Sequence, residues 1–419
     1  MCSWSHLSMV AQPYLEKASQ HRFARGYIGL NSLFQPTSGE LVVDGVPQAF
    51  PTQIVPRFTL GGVHFWGRLD FSMSFDLVRF SNAQLNEQTT LNYQTGADFS
   101  ARYYPWQIKE NRLRPYIGGG LQYIVLGLEH QEQGSRYDFL PSFSGVGGLS
   151  YALGNWQLNA DATWLPFPET DFYTSRTQRE TFSLPSFYYS LGLVHYFDST
   201  IKKEREKESG QWDFIVDDLG PSNKLNTFTI GVAPTTAFFF ENPSYVSPER
   251  QSVPNHKVVM TMELGMGYQW HKPGIHVGMS YRNYQSTRES YGLDHAIRRK
   301  AITIEAYKFL LDYNGFVPFL GPSLSWDRWS TGEFENNELT GTIQRTEKLT
   351  PGIIFGWDIV ASPYETWLLR TNLRYYPFVE ITDIEGKMSR VDQFEFNFIQ
   401  VVVFPNRLWN VTKRKNQFK

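Results

Sequence analysis

Apolar and polar residues alternate with a period of two along most of the chain. In segment 68–77 (RLDFSMSFDL), every second residue is Leu, Phe or Met, and the residues between them are Arg, Asp or Ser. Segments 260–270 and 275–281 repeat the pattern. Strict alternation gives a β-strand one apolar and one polar face, and no segment shows a helical period of comparable clarity. The sequence therefore predicts an all-β protein.

Sixteen strands follow from this pattern, eight in each half of the chain. The connections between them alternate between short turns, such as Trp66-Gly67 and Gly154-Asn155, and long polar loops, such as 35–56 and 328–349. Short turns at one rim and long loops at the other are typical of outer-membrane barrels of Gram-negative bacteria. The predicted strands lie near residues 25–34, 57–66, 68–79, 92–104, 114–128, 143–153, 156–166, 186–197, 226–240, 257–270, 275–286, 300–312, 316–327, 350–361, 366–378 and 393–404.

The composition is compatible with a membrane protein that crosses the bilayer with strands. Aromatic residues make up 16% of the chain, yet its mean hydropathy is only −0.38. A transmembrane helix needs about 20 consecutive apolar residues, and no stretch approaches that length. In a transmembrane barrel, lipid-facing residues alternate with polar lumen-facing ones, so the sequence is not hydrophobic overall. A net charge of −2 gives no sign of a nucleic-acid partner.

The N-terminal segment and the cysteine content set further limits. Cys2 is the only cysteine, which excludes an internal disulfide framework and any multi-cysteine metal site, and we expect no cofactor. A lipidation site at Cys2 is an open alternative. Residues 1–12 lack the basic end and apolar core of a secretion signal, although Ser8-Met9-Val10-Ala11 ends like a cleavage site. We interpret residues 1–20 as an N-terminal segment holding a signal remnant.

The two halves of the chain align with each other, which indicates an internal repeat. Offsets between matched segments run from 202 to 211 residues, and the drift falls in connections, which tolerate insertions. The predicted organisation is barrel repeat 1 (21–197), a charged periplasmic linker (198–225), barrel repeat 2 (226–404) and a basic C-terminal tail (405–419). The matched segments are 27–30 with 229–232, Asp98 with Glu305, 115–123 with 318–326, 165–167 with 376–378, and Phe197 with Phe404.

The glycine-rich strand 115–123 (PYIGGGLQY) and the two final strands that end in Phe, 191–197 (LGLVHYF) and 399–404 (IQVVVF), carry a resemblance to a known class. The chain resembles the small outer-membrane barrels of the OmpA-like type, especially the barrel families of Bacteroidota. The resemblance implies that the Phe-terminated strands act as barrel-assembly signals. The chain departs from the family in having two units and a basic tail after Phe404, and it has no counterpart of the family's peptidoglycan-binding domain.

Two architectures fit sixteen strands: two tandem eight-stranded barrels or one 16-stranded barrel. Eight strands enclose a lumen that side chains fill, whereas sixteen leave an aqueous channel. Glycines alternate inside with bulky residues, which favours the narrow interior, and the long linker suits two separate closures. The partner of strand 226–240 decides between the two. The bulky inward residues are Tyr104, Tyr116, Tyr284, Tyr307 and Phe319.

Strand phase also places ionisable side chains in the lumen. A charge facing lipid at mid-membrane costs about 2–4 kcal/mol for Arg or Lys, so these residues belong inside. We expect an internal salt-bridge network, with a selectivity ring of a wider pore as the alternative. The expected lumen-facing charges are Asp70, Asp98, Asp161, Glu263, Arg282, Glu305, Arg370 and Arg374.

Six tryptophans near strand ends are expected to form the aromatic belts that lie at the two membrane interfaces. Binding of sugars by the outer loops is the alternative, and the loop 327–348 is the best candidate for an extracellular ligand or partner site. The six residues are Trp66, Trp106, Trp164, Trp270, Trp326 and Trp367.

An enzyme is not expected. His276 and Ser280 share a strand face but lie about 13 Å apart along an extended strand. His64, His195 and His271 suit interface or turn positions, and no nucleophile-elbow or zinc-helix motif is present.

The sequence therefore favours a non-enzymatic outer-membrane protein, structural or part of an assembly. A porin-like passive diffusion channel is the first alternative, and a lipid-modifying enzyme the second. Both termini are expected in the periplasm and the long loops outside the cell. The expected partners are outer-membrane lipids and other outer-membrane or periplasmic proteins.

Overall fold

The computed structural model describes residues 22–43, 46–50, 52–78, 82–84, 88–132, 134–198, 218–239, 251–311, 316–359, 366–382 and 388–417. The predicted signal remnant with Cys2, and residues 199–217 of the predicted linker, lie outside the described residues. Among the described residues, no helix is long and apolar enough to cross a membrane.

Eight strands of the first half close into an antiparallel barrel, here called barrel 1. In order around the barrel they are β1 (Arg25–Gln35), β4 (Gln53–His64), β5 (Leu69–Asp76), β8 (Asp98–Tyr103), β9 (Leu113–His130), β10 (Gly134–Leu153), β11 (Trp156–Trp164) and β14 (Phe187–Asp198). The last strand pairs back with the first, Leu193 opposite Leu30. No edge is left open, as the bilayer core requires of a spanning sheet.

The connections at one end of barrel 1 carry additional strands. β2 (Ser38–Val43), β3 (Val46–Phe50), β12 (Glu169–Tyr173) and β13 (Arg179–Ser183) form a small four-stranded sheet. β6 (Asn82–Gln84) pairs with β7 (Thr89–Gln94), and β7 continues the position of β8 along β9. We call this the long-loop end and the opposite end, with turns such as residues 65–68 and 154–155, the short-turn end.

Eight strands of the second half close in the same way into barrel 2. They are β15 (Thr227–Phe239), β16 (Val258–Trp270), β17 (Ile275–Ser290), β18 (Leu293–Phe309), β19 (Phe316–Glu335), β21 (Gln344–Ile359), β22 (Trp367–Tyr376) and β25 (Gln393–Val403). At the long-loop end, β20 (Glu338–Leu339) pairs antiparallel with the end of β19, and β23 (Glu380–Thr382) pairs with β24 (Met388–Arg390).

The partner of β15 decides between one barrel and two. β15 pairs with β25, with Ile230 opposite Val403, and β14 pairs with β1 and β11. Each half thus closes on itself, so among the described strands the chain forms two eight-stranded barrels and not one of sixteen strands.

The matched segments of the two halves occupy equivalent places. Residues 27–30 and 229–232 lie in the first strand of each barrel, Asp98 and Glu305 in the fourth, and residues 115–123 and 318–326 in the fifth. Descent of the two barrels from a duplicated unit remains a prediction from the sequence.

Several strands are longer than the sequence predicted. Apart from the turn at residues 291–292, residues 287–299 and much of 328–349, predicted as loops, are paired strand in β17, β18, β19 and β21. A tilted strand needs only about 9–11 residues to cross the hydrocarbon core, so strands of up to 20 residues extend beyond it. Beyond the bilayer the inward face of these hairpins stays buried, as at Ile297 and Trp329, but the outward face meets water and carries polar residues. The apolar alternation therefore weakens, and the sequence looks like a loop.

The segment that the sequence identified only as a basic C-terminal tail is mostly a helix, α1 (Pro405–Gln417). It docks at the short-turn end, where the buried Arg407 donates a hydrogen bond to the Leu225 carbonyl over 3.0 Å and Asn410 donates one to the Lys224 carbonyl over 2.9 Å. The preceding Phe404 is fully buried beside Leu368 and Val402. Phe197, its counterpart, is 49% exposed.

The outer surfaces of both barrels are apolar. On β16, Met260, Met262, Leu264 and Met266 point outward and are 53–60% exposed. An apolar face that continues around a closed barrel is stable in hydrocarbon and is a liability in water. The chain is therefore a membrane β-barrel protein.

The two barrels lie side by side, and aromatic side chains of their outer faces meet. Phe71 on β5 contacts Trp357 on β21, with ring centroids 5.6 Å apart. Phe99 on β8 lies 6.4 Å from Phe398 on β25. At the short-turn end, Phe65 and Phe316 are 5.1 Å apart. Ring pairs at these distances are attractive beyond their buried area.

Candidate functional site

The interior of barrel 2 contains a network of buried ion pairs. At its centre, Glu263 on β16 accepts hydrogen bonds from Arg374 on β22 over 2.7 and 3.0 Å and lies 3.3 Å from Arg282 on β17. Arg374 also contacts Glu305 on β18. β16, β18 and β22 are not neighbours in the barrel, so these contacts run through the lumen.

Two further groups extend this network along the lumen. Glu395 on β25 pairs with Arg282 over 2.8 Å and also with Arg299, which lies 2.7 Å from Asp327. Arg370 binds both carboxylate oxygens of Asp358, at 2.6 and 2.8 Å. Fork-shaped pairing of this kind fixes geometry as well as charge.

Barrel 1 has a smaller polar interior. Asp70 accepts a hydrogen bond from the Tyr27 hydroxyl over 2.7 Å. Asp161 accepts one from Tyr116 over 2.8 Å, and Arg102 lies 3.8 Å from it. These contacts connect strands β1, β5, β8, β9 and β11 across the lumen.

A second ion-pair group in barrel 1 lies nearer the long-loop end. Arg57 bridges Asp76 over 2.8 Å and Asp98 over 2.7 Å. Asp98 keeps 24% of its side chain exposed, whereas Arg57 and Asp76 are almost fully enclosed.

All eight charges assigned to the lumen from strand phase therefore lie in the two interiors, each in an ion pair or beside a buried tyrosine. The five bulky inward residues Tyr104, Tyr116, Tyr284, Tyr307 and Phe319 are also buried, at 0–3% exposure. Sequence reasoning missed seven of the ion-pair partners, although the same phase argument applied to each strand in turn would have found them. The missed residues are Arg57, Asp76, Arg102, Arg299, Asp327, Asp358 and Glu395.

Apolar clusters close the lumens along the barrel axes. In barrel 1, a cluster at the long-loop end combines residues of the barrel wall with loop-end strands, Phe50 on β3, Phe172 on β12 and Phe182 on β13 among them. In barrel 2, Phe239, Trp329 and Ile381 belong to a similar cluster, and Tyr307 and Phe319 stack 4.3 Å apart nearer the short turns. Both described interiors are filled by side chains.

Little free volume remains inside barrel 2. A cavity of about 30 Å³ lies among Glu263, Glu305 and Gln400. A cavity of this size holds about one water molecule. The described interior of barrel 2 has no space for the wide pore that a selectivity ring requires.

The histidines weighed for catalysis do not come together. His276 stacks on Tyr307 at 4.7 Å, and its Nε2 lies 2.9 Å from Thr229 Oγ1. His64 lies on the outer face of barrel 1, His195 packs edge-on against Trp156, and His271 lies in a short-end turn. Among the described residues, no group of three His, Cys, Asp or Glu side chains is arranged to hold a metal ion.

Five of the six tryptophans expected in the belts are 39–58% exposed. Trp106, Trp270 and Trp367 lie at the short-turn end, Trp164 ends β11 on the long-loop side, and Trp326 lies midway along β19. Trp66 differs, because it is half-buried against Phe23 at 5.0 Å, in a cluster that includes residues of barrel 2. It faces the junction between the barrels more than lipid.

Polar contacts join the barrels at the long-loop end. The Tyr291 amide donates to the Ser135 carbonyl over 2.9 Å, and the Tyr291 hydroxyl donates to the Tyr173 carbonyl over 3.0 Å. Arg176 from the β12–β13 turn donates to the Tyr291 carbonyl over 2.9 Å and pairs with Glu335 over 3.2 Å. The loop ends of both barrels therefore form one continuous surface, which we call the loop platform.

Comparison with known proteins gives only distant likenesses. No protein-family model matches the chain, and no curated protein matches it. The chain is similar to the solved structure of Neisserial surface protein A, at 17% identity over 42% of this chain and 96% of that one, with a TM-score of 0.30. It is also similar to the outer-membrane protein OprG of Pseudomonas aeruginosa, at 12% identity over 43% and 92%, with a TM-score of 0.27.

An outer-membrane channel of Pseudomonas putida F1 covers more of the chain, 91% of it and 95% of the channel, at 9% identity and a TM-score of 0.22. At these identities and scores the likenesses carry no information about ligands or activity.

Proposed function

We propose that the chain is a non-enzymatic protein of the bacterial outer membrane whose two closed barrels support the loop platform as a structural element or as one component of an outer-membrane assembly. The observation that carries this proposal is that both lumens are filled by ion pairs and apolar clusters. A passive diffusion channel needs an open lumen of many strands.

The arrangement of the barrels supports a structural role. One eight-stranded barrel is enough to hold loops at a membrane surface, so a second barrel adds area to the platform and fixes its orientation. The contacts of Tyr291 and Arg176 hold the two sets of loops together. The short turns then face the periplasm together with α1, and the long loops face outward, as in bacterial barrels generally.

The absence of enzymatic activity is part of the proposal. His276 is enclosed in the lumen of barrel 2, and His64 and His195 lie on barrel 1. We expect that replacing all three residues together leaves the outer-membrane lipids unchanged in mass spectra of whole cells. A change in acylation pattern would indicate an enzyme and contradict this part.

Conductance of the purified full chain in planar bilayers tests the main proposal. We expect no steady openings, with a known porin inserted under the same conditions as the positive control. Large stable openings would show that the interiors are not closed in the membrane and would favour the diffusion-channel alternative.

A further inference from the structure

A cavity of about 450 Å³ lies between the two barrels, within the membrane-spanning part. Barrel 1 contributes Phe71, Phe99 and Leu121 to its walls, and barrel 2 contributes Trp357, Leu373 and Phe398. Its volume is in the range of ligand sites, about 300–1,000 Å³, and its walls are mainly apolar, as such sites usually are. Because the barrels' outer faces border hydrocarbon, an acyl chain is the apolar occupant available there.

A second pocket, also of about 450 Å³, lies at the short-turn rim of barrel 1 and is basic. It is lined by Arg68 immediately before β5, by Trp106, Lys109 and Arg112 of the segment that connects β8 to β9, and by Arg114 in β9. The Arg68, Lys109 and Arg112 side chains are exposed and meet no carboxylate among the described residues. The nearby Glu110 pairs with Arg22.

The connecting segment that presents these cations is held in place. Arg114 is buried and donates to the carbonyls of Gly67 and Trp106 over 3.0 and 3.2 Å. The Ile108 amide donates to the Trp66 carbonyl over 3.0 Å, and the Asn111 amide donates to the Ala152 carbonyl over 2.8 Å. The basic pocket is therefore an ordered feature of the rim.

The basic pocket lies at the short-turn ends of β5 and β8, and the cavity lies farther along the same two strands. This is the order of a phospholipid, with the headgroup at the membrane surface and the acyl chains in the hydrocarbon core. On the outer face of β5 and β8, the pair Leu69–Tyr103 follows the basic pocket, and the pair Phe71–Ala101 then lines the cavity. From Arg68 to Phe71 is about 10 Å along a strand. Half of the hydrocarbon core is about 15 Å thick, so one acyl chain spans that distance and enters the cavity.

We propose that this surface is a binding site for an anionic phospholipid, with the headgroup phosphate between Arg68, Lys109 and Arg112 and one acyl chain in the cavity between the barrels. Charge complementarity selects the headgroup, because three exposed cations at a membrane surface attract anionic lipid. Trp106 and Leu113, 58% and 59% exposed beside the pocket, lie where a lipid glycerol region would contact them. A lipid held by both barrels also links them.

Native mass spectrometry of the full chain tests the headgroup part. The protein is purified in detergent, incubated with phosphatidylglycerol or with phosphatidylcholine of the same acyl chains, and the bound fraction is compared. We expect preferential retention of phosphatidylglycerol, and a loss of about tenfold or more in its affinity for the triple variant R68Q/K109Q/R112Q.

The matched control removes three exposed cations from the same rim of barrel 2. In K272Q/K308Q/K413Q the phosphatidylglycerol affinity is expected to change less than about twofold, because a diffuse surface attraction contributes little once salt screens it. Equal losses in the two triple variants would show a diffuse attraction and overturn the proposal, as would unchanged binding in R68Q/K109Q/R112Q.

Filling the cavity tests the acyl-chain part. Gly62 lines the cavity, and a Cβ there would have no neighbour closer than 3.5 Å, so Gly62→Leu places its side chain in the space assigned to the chain. We expect weaker retention of both lipids. Gly147→Leu, on an outer face of β10 with nothing within 4 Å, is the control.

Both substitutions face outward and leave the lumens untouched, and heat-dependent gel mobility confirms that each barrel is folded. Ala101→Leu reaches the same cavity from β8 and repeats the test at a second position. Unchanged lipid retention in Gly62→Leu and Ala101→Leu would contradict an acyl chain between the barrels.

Discussion

Inside each barrel, at the scale of single residues, buried arginines are stable because each one meets carboxylates or aromatic rings. Arg374 is 2% exposed and binds Glu263 and Glu305, and Arg282 binds Glu263 and Glu395. An uncompensated buried charge is costly, whereas a complete network is close to neutral in free energy. The network therefore mainly specifies how the interior packs.

Removing the charge of Glu263 is expected to destabilise barrel 2 strongly. Glu263→Gln leaves Arg374 and Arg282 short of one anion in a closed lumen, so the free energy of unfolding falls by about 3–5 kcal/mol. Equilibrium unfolding in lipid vesicles measures the change. Glu347→Gln breaks the Arg328–Glu347 pair, which is half exposed on both sides, and is expected to change the unfolding free energy by less than about 1 kcal/mol. Equal effects of the two variants would contradict a closed interior.

His256 at the long-loop end makes the local structure sensitive to acid. Its Nδ1 lies 2.8 Å from Ser286 Oγ and its Nε2 2.9 Å from His295 Nδ1. Burial first, and then the positive charges of His295 and Arg288, lower the pKa of His256 well below its usual value of 6.5. In the folded state of residues 251–257, His256 therefore excludes a proton that it accepts when this segment unfolds locally.

Because local folding lowers the pKa of His256, the stability of this segment is complete above about pH 6.5. It decreases as the pH falls below that value, by up to about 1.4 kcal/mol per pH unit. Hydrogen exchange of residues 251–257 is expected to be faster at pH 5.0 than at pH 7.5, after correction for the intrinsic rate. His256→Gln should reduce this pH dependence. Equal protection at both pH values in the natural chain would contradict the assignment.

At the scale of strands and helices, glycines that face the lumen let the backbones of neighbouring strands approach each other closely. A Cβ on Gly118 of β9 would lie 2.2 Å from the Ala101 carbonyl oxygen of β8, a backbone atom that cannot move aside. Gly118→Ala is therefore expected to lower the unfolding free energy of barrel 1 by about 1–3 kcal/mol. Gly147→Ala, where nothing lies within 4 Å, serves as the control and should be neutral or slightly stabilising. Equal destabilisation by both would argue against this explanation of the glycine-rich strand.

Helix α1 depends on a few buried contacts with the residues before β15. Val411 is 5% exposed, and Arg414 pairs with Asp218 over 2.5 Å. Val411→Asp buries a charge without an assigned partner, so we expect α1 to detach and its amide exchange to rise, while the barrels, which close without it, keep their stability. Thr412→Asp, on the exposed side of the same helix, should leave the exchange unchanged. A loss of barrel stability in Val411→Asp would show that the helix helps to close barrel 2.

The sequence predicted the membrane-spanning strands and the phase of their side chains because lipid imposes the alternation. It did not predict that β18 begins at Leu293, because the outward face of a hairpin beyond the bilayer needs no apolar residues. Nor did it predict that the tail after Phe404 is a helix, since its stability comes from contacts such as that of Arg407 with the Leu225 carbonyl, far away in sequence.

At the scale of the whole molecule, the architecture consists of two separately closed barrels and the apolar junction between them. Lipid and a neighbouring barrel are both apolar, so an outward Phe such as Phe99 or Phe398 has the same sequence signature whichever it meets. The junction between the barrels was therefore not predictable from the pattern. The decision between one and two barrels was also open, because every strand has the same alternation in either arrangement and only the pairing of β15 differs.

Thiol crosslinking between chosen strand pairs tests the separate closure of the two barrels most directly. In a Cys2→Ser background, cysteines at Ile230 and Val403, or at Leu30 and Leu193, are expected to be joined by a short bifunctional thiol reagent in the membrane, because these residues face each other on exposed outer surfaces. Cysteines at Leu193 and Ile230 should not be joined within one chain. Efficient joining of Leu193 to Ile230, with loss of the other two products, would show that the chain forms one large barrel and would contradict the account.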